Sequence, residues 1–349
     1  MTGSGITALG VARLGFLGTG WIGRHRMQAI AEGGHAVVAA VSDPSPDAAR
    51  QAADAARAVA GHPADVAVVG SLDALLDLGL DGVVIATPSA LHADQAVRAL
   101  ERGAAVFCQK PLARTAAESR RVVDAARAAD RLLGVDLSYR HTAGVRAVRE
   151  LVRGGELGRV YAVDLTFHNA YGPDKPWFYD PALAGGGCVI DLGIHLVDLA
   201  LWTLGWPRVA GAESRLYSKG RPLGGAGGAV EDYALATLDL DGGAVVRLAC
   251  SWHLPAGRDA VIEAAFYGDQ GGAAFRNVGG SFYDFAAERF RGTAREPVAP
   301  EGAGGSEPWG GRAAAAWAAR LAESPAFDPE VERVVDVAAA LDAVYGRRG

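Results

Sequence analysis

At 349 residues, half of them apolar, the chain is long enough for two domains of ordinary size, each with a buried core. A formal charge of -6, from 34 basic and 40 acidic residues spread along the sequence, gives no electrostatic footprint for nucleic acid or an anionic membrane, and a small-molecule partner fits better. Three cysteines, Cys108, Cys188 and Cys250, form no CxxC pair, so neither a disulfide framework nor a metal site is suggested.

The sequence opens on no basic segment followed by an apolar one, and its apolar runs read as short of the roughly 18 to 20 residues that span a bilayer. A cytoplasmic protein that does not enter the membrane is expected. Between Arg13 and Leu137, short apolar runs alternate with amphipathic segments, the βαβ signature of a doubly wound parallel sheet covered by helices. Strands are expected at 13–17, 36–42, 65–69, 82–86, 105–109 and 132–137, with helices such as 92–102 and 115–130 between them. Ser71 reads as a helix N-cap and Gly103 as the glycine that follows a helix.

Beyond Arg140 the pattern changes. One helix at 143–153 leads into longer strand-like runs at 160–168, 232–240, 244–252 and 260–267, and Asp241-Gly242-Gly243 reads as a hairpin turn between two of them. Glycine-rich stretches at 220–228 and 302–311 read as loops, and 328–345 has helical periodicity. The expected organisation is an α/β domain over 1–140 and an α+β domain over 141–349.

The first strand runs into Gly18-Thr19-Gly20-Trp21-Ile22-Gly23, a GxGxxG set between a strand and a helix as the dinucleotide fingerprint requires. The first glycine permits the tight turn, the second lets the backbone approach a pyrophosphate, and the third lets helix pack on strand. Asp43 closes the second strand, 20 residues after Gly23. A carboxylate there accepts hydrogen bonds from a ribose diol and repels a 2′-phosphate, which favours NAD; Ser42, Arg24 and Arg50 leave NADP open, and Asp43 can also be read as a turn residue before Pro44.

Chemistry-bearing residues fall at the carboxyl ends of the next strands. Thr87-Pro88, with His92 four residues on, follows the fourth, and Cys108-Gln109-Lys110-Pro111 closes the fifth, on the edge where open α/β sheets bind ligands. Further on, Gly185-Gly186-Gly187 opens an almost wholly apolar helix that carries Asp191, His195 and Asp198 near one face. Burying such groups costs several kcal/mol unless each has a partner or a task.

Taken in order, the GxGxxG, the acidic residue after strand two, the Thr-Pro with its histidine, the EKP-like tripeptide and the GGG-x3-D-x-G-x-H-x2-D segment resemble the glucose-fructose oxidoreductase/inositol dehydrogenase/rhizopine-catabolism (Gfo/Idh/MocA) family. The resemblance implies an N-terminal Rossmann domain and a C-terminal open-faced, mainly antiparallel sheet that binds substrate and forms homodimers or homotetramers. It also implies hydride transfer between a nicotinamide and a secondary alcohol or ketone of a sugar, inositol or related polyol. Gly18, Thr19, Gly20, Trp21, Ile22, Asp43, Thr87, Pro88, His92, Gln109 and Lys110 would then hold cofactor. Lys110 would hydrogen-bond the reacting oxygen, with His195 as acid/base and Asp191 as its carboxylate partner. Gln109 departs from the family's glutamate, removing a negative charge beside Lys110.

For the substrate side, the resemblance implies a contact from Arg140, which can equally be read as an ion-paired residue at the domain junction. His168 and Trp177 sit in an aromatic and polar stretch that suits a polyol pocket or simply covers the following helix; His253 is a weaker candidate. Two other functions fit the same residues: a redox-neutral glycosidase with bound NAD, and a nicotinamide-binding sensor without catalysis.

Overall fold

The computed structural model describes residues 11–59, 61–62, 65–224, 228–298 and 309–347. In chain order the first elements are β1 (Ala12–Leu17), α1 (Trp21–Gly33), β2 (Ala36–Ser42), α2 (Pro46–Arg57), β3 (Ala67–Val69), α3 (Leu72–Leu76), β4 (Gly82–Ile85), α4 (Ser89–Glu101), β5 (Ala105–Cys108), α5 (Ala116–Ala129) and β6 (Leu133–Val135). They are followed by α6 (Ala143–Arg153), β7 (Val160–Asn169), α7 (Pro181–Ala184), α8 (Ile194–Leu204), β8 (Val209–Ser218), β9 (Arg221–Pro222), β10 (Tyr233–Leu240) and β11 (Val245–Ser251). The last are β12 (Ala260–Gly268), β13 (Gly272–Asn277), β14 (Phe285–Arg291), β15 (Ala294–Pro297), α9 (Arg312–Glu323) and α10 (Arg333–Val344).

One compact unit comprises the chain up to Ala113, Glu118–Ser138 and Gly310–Glu332; the other comprises Arg114–Ala117, Tyr139–Trp309 and the chain from Arg333. A single cut at residue 140 therefore does not describe the path of the chain, which returns to the first unit late. The expected loops at 220–228 and 302–311 fall partly outside the described residues, at 225–227 and 302–308.

In the first unit all six strands pair in parallel in the order β3-β2-β1-β4-β5-β6, the doubly wound arrangement, with the order reversing between β1 and β4. Ser71 caps α3 by accepting from the Ala74 N–H, and Gly103 takes the left-handed conformation just past α4. Leu14, Phe16, Ile30, Val38, Val84 and Phe107 form the core, and the returning helix α9 adds Trp317 to it. Glycines make room for that indole: a Cβ on Gly82 would lie 2.9 Å from the Trp317 ring, and one on Gly134 would lie 2.6 Å away.

The second unit is a nine-stranded sheet ordered β15-β14-β13-β12-β7-β11-β10-β8-β9, antiparallel except where β7 and β11 pair in parallel. The Asp241-Gly242-Gly243 hairpin joins β10 to β11, with both glycines at positive φ. One face packs on α6, α8 and α10. In β10 that face buries Ala234, Ala236, Leu238 and Leu240, while Leu235, Thr237 and Asp239 alternate onto the open face.

Two expectations are corrected here. The apolar segment Pro181–Leu204 does reach the length and apolar character of a membrane span, but 83% of its apolar 18-residue stretch is buried within the protein, as a core helix is. Nor is it one α-helix: α7 ends at Gly185 in the left-handed conformation, Val189–Gly193 form a π-helical turn, and α8 begins only at Ile194. Four glycines between 185 and 193 weaken regular helix there, and the wider π turn alters the face relation between Asp191 and His195 that an even 3.6-residue period predicts.

Candidate active site

In the first unit the candidate residues line the carboxyl edge of the parallel sheet. Gly18, at φ +86°, turns the chain out of β1, and a Cβ there would lie 2.6 Å from the Ala86 carbonyl oxygen at the end of β4. A Cβ on Gly23 would lie 2.1 Å from the Gly18 carbonyl oxygen, so glycine is required at both positions by the chain's own packing. Gly20 differs: its φ is -60° and nothing lies within 4 Å of the place a Cβ would take. The protein's own packing makes no demand for glycine at 20, and the open space there would admit a phosphate. Gly20 also precedes α1, whose first turn receives no side-chain cap and carries no acidic residue, leaving N–H groups and the positive end of the helix for a pyrophosphate. These residues fit a dinucleotide. Trp21 is largely exposed beside this turn, and the half-buried Ile22 follows it.

Asp43 braces the turn from β2. Its carboxylate accepts from the Thr19 N–H at 2.7 Å, the Thr19 hydroxyl at 3.1 Å and the Ser45 N–H at 2.9 Å. Arg24 and Arg50 are engaged elsewhere, with Gln51 at 3.0 Å and with Asp47.

Across the switch point, the Thr87 hydroxyl donates to Gln95 at 2.6 Å. His92 is buried and its two ring nitrogens lie 2.7 Å from the Thr87 carbonyl oxygen and 2.8 Å from that of Pro111. It thereby ties the Thr87-Pro88 loop to the Lys110-Pro111 segment. Burial lowers its pKa most and the Lys110 charge lowers it further, while the two carbonyls oppose both. Gln109 is buried and Lys110, just past β5, is half-buried.

A residue that sequence reasoning missed sits beneath this edge. Asp136, buried beyond β6, accepts from Gln109 Nε2 at 2.6 Å and Arg26 Nε at 2.6 Å, and from the Ser138 hydroxyl. One carboxylate thus joins the dinucleotide helix, the strand end that leads to Lys110 and the last strand. Its local partner Ser138 does not mark it in the sequence, and its other two partners are 110 and 27 residues away.

In the second unit, Asp191 lies on the π turn and His195 near the start of α8. The Trp252 indole N–H, just past β11, donates to Asp191 Oδ2 at 3.0 Å, and the buried Tyr139 ring meets the His195 imidazole edge-on at 5.0 Å. The turn is anchored by a second missed residue, Glu231, whose buried carboxylate accepts from the N–H groups of Gly187 at 3.0 Å and Val189 at 2.9 Å and from the Tyr345 hydroxyl at 2.7 Å. Burial raises the Glu231 pKa and these donors counter it. The approach explains part of the glycine run, because a Cβ on Gly187 would lie 1.9 Å from the Glu231 carbonyl oxygen.

Arg140 takes the ion-pair role. Its fork binds Asp198, with Nε at 2.8 Å from Oδ2, and its guanidinium lies over the Trp206 ring at 5.0 Å. His168 accepts from or donates to Ser251 at 2.8 Å through Nδ1 and stacks on Tyr233, and Trp177 stacks on Phe178 at 3.8 Å. Burial lowers the His168 pKa. The Tyr179 hydroxyl lies 3.4 Å from His253 Nε2.

Two family models match the chain: "Oxidoreductase family, NAD-binding Rossmann fold" over residues 12–137 and "GFO/IDH/MocA C-terminal domain" over 145–274. Among curated relatives, D-glucoside 3-dehydrogenase of Escherichia coli is 31% identical over 209 residues, 57% of this chain and 60% of that one. Inositol 2-dehydrogenase 3 of Saccharopolyspora erythraea is 33% identical over 198 residues, 55% of this chain and 53% of that one. The chain thus spans little more than half the length of these relatives. In fold it superimposes on levoglucosan dehydrogenase in complex with NADH and levoglucosan, with a TM-score of 0.79 over 96% of both chains at 22% identity.

Proposed function

The chain belongs to the Gfo/Idh/MocA family of oxidoreductases with an NAD-binding Rossmann fold, and on that footing we propose that it moves a hydride between NAD and a ring carbinol of a sugar, glycoside or related polyol. The observation that carries this reading is the alignment along one sheet edge of the glycine turn after β1, Thr87-Pro88 after β4 and Lys110 after β5.

In this reading Gly18 to Ile22 and the first turn of α1 hold the pyrophosphate, and Thr87, Pro88, His92 and Gln109 shape the segment beside it. The bound nicotinamide supplies a hydride acceptor. In the oxidation direction His195 takes the hydroxyl proton, Asp191 orients it or a neighbouring substrate hydroxyl, and Lys110 donates to the oxygen as negative charge develops there. His168 and Trp177 contribute to the sugar pocket, whereas Arg140, held by Asp198, serves to fix α8. Asp43 beside the turn, with Arg24 and Arg50 already paired, supports NAD over NADP.

We also propose that the chain forms a homodimer or homotetramer through the open sheet face, where Val245 is exposed. A cytoplasmic location is supported by its unbonded thiols, including Cys188 and Cys250 with sulfurs 3.8 Å apart.

The test is absorbance of reduced nicotinamide with NAD or NADP and a panel of sugars, methyl glycosides and inositols, beside Lys110→Ala. A signal with wild type that is lost in the variant is expected. Release of reducing sugar without NADH would move the reading to a redox-neutral glycosidase, and tight NAD binding with no turnover to a sensor.

A further inference from the structure

Within the second unit lies a cavity of about 840 Å³, bounded by Arg215, Tyr217, Lys219, Asp232, Tyr233 and Trp252. Pockets that enclose a drug-sized ligand run from about 300 to 1,000 Å³, so this one is large. Neither Asp191 nor His195 lines it. It is nonetheless joined to that pair by one side chain: the Trp252 indole forms its wall and donates its N–H to Asp191 at 3.0 Å.

The walls are built with some strain. Among the described residues four non-glycine positions have positive φ, and two of them, Lys219 at +51° and His253 at +58°, line this cavity. Lys219 is held there by its N–H donating to Asp232 at 2.8 Å. Gly172 lets the chain approach two of the lining residues closely: a Cβ there would lie 2.3 Å from the Tyr179 hydroxyl and 2.4 Å from His253 Nε2.

The chemistry of the lining selects an occupant. Tyr217 meets Tyr233 edge-on at 5.9 Å and Tyr179 meets Trp252 edge-on at 5.6 Å, which offers aromatic faces at different inclinations to an apolar surface. Between them stand a guanidinium, a carboxylate and phenolic hydroxyls. A flat aryl group would cover the rings and offer no hydrogen bond to Arg215 or to the Asp232 oxygen that the Lys219 N–H does not engage. A pyranose ring satisfies both, with its C–H face on the aromatics and its hydroxyls on the charged groups.

We propose that this cavity is a subsite for a second, non-reacting sugar ring, so that the preferred substrate is a disaccharide-type glycoside whose other ring is the one oxidised. The inference rests on the sugar dehydrogenase reading above. It makes Tyr233 and Arg215 specificity-determining residues and Trp252 the divider between the two rings.

The experiment compares kcat/KM for cellobiose, maltose, trehalose and gentiobiose with that for methyl glucoside, in wild type, Tyr233→Ala and Arg215→Ala. Calorimetric binding of the same sugars to each protein with NADH present runs alongside. The expected result is that one disaccharide exceeds methyl glucoside at least tenfold in wild type, and that each substitution lowers this ratio at least tenfold. Should no sugar turn over, the dehydrogenase reading fails, yet the subsite survives if a disaccharide binds tenfold tighter than methyl glucoside in a Tyr233-dependent way. Equal binding or an unchanged ratio overturns it, as does loss of a dimer in Tyr233→Ala with the ratio intact, which would assign the cavity to a second copy of the chain.

Discussion

Gln109 donates its side-chain amide to the buried carboxylate of Asp136 at 2.6 Å, immediately before the lysine proposed to bind the reacting oxygen. The same Asp136 oxygen accepts from Arg26 on the dinucleotide helix. The family's glutamate at 109 would set a second carboxylate against this oxygen, with a single guanidinium to serve both. In this chain the loss of charge at 109 is therefore matched to Asp136 rather than simply a loss beside Lys110.

Gln109→Glu is accordingly expected to destabilise the protein by about 3 kcal/mol, the scale of an uncompensated buried charge. Adding Asp136→Asn restores a neutral partner and should recover more than half of that loss. Denaturant melts of the two single variants and the double variant measure the coupling. Simple additivity of the two effects would refute the pairing.

Trp252→Phe keeps the ring and removes only the N–H that holds Asp191. A hydrogen bond to a charged group contributes about 1.5–3 kcal/mol, so kcat should fall roughly 10- to 100-fold if that bond orients the acid–base pair. The acid limb of the pH–kcat profile should move with it. A change confined to Tm, with kcat and the pH profile untouched, would make Trp252 structural.

His92 gives a pH dependence of stability. Its pKa in the folded protein lies below the ordinary value near 6.5, chiefly through burial, so the unfolded chain binds the proton more readily. The stability tied to the neutral ring is complete above about pH 6.5 and is lost as pH falls from there through the folded pKa. Thermal melts from pH 8 to 5 should show it, with a limiting slope of about 1.4 kcal/mol per pH unit for one proton. His92→Gln should flatten the curve, leaving a remainder from His25 and His168, whose pKa values burial also lowers. Parallel curves would clear His92 of the effect.

Local pattern carried the first unit far. Its six strands form within two residues of their expected ends, because each is a short apolar run closed by glycine, proline or a capping residue. The glycine turn was readable because its spacing lies within one βα unit, although the contact that requires glycine at 18 comes from Ala86 beyond β4. The second unit was less readable. Strands β8 and β15 have no buried residue, β13 is buried over four consecutive residues and β14 alternates only at its start, so their pattern is set by sheet neighbours rather than by sequence period. The π turn was hidden for a similar reason: glycine's low propensity is visible in sequence, but the Glu231 carboxylate that selects the turn lies 44 residues from Gly187. Asp136 escaped notice in the same way, as a charge whose partners are brought to it only by the sheet.

The late return of the chain also bears on the order in which the protein can be made. Trp317 fills space left by Gly82 and Gly134 against Phe107, so the parallel sheet waits for a plug encoded long after its last strand, β6. On a ribosome delivering about 5–20 residues per second, all six strands exist some ten seconds or more before that plug emerges. During that interval the glycine-lined gap stays open to water, and the nascent sheet is at its most exposed to chaperones and to misassociation.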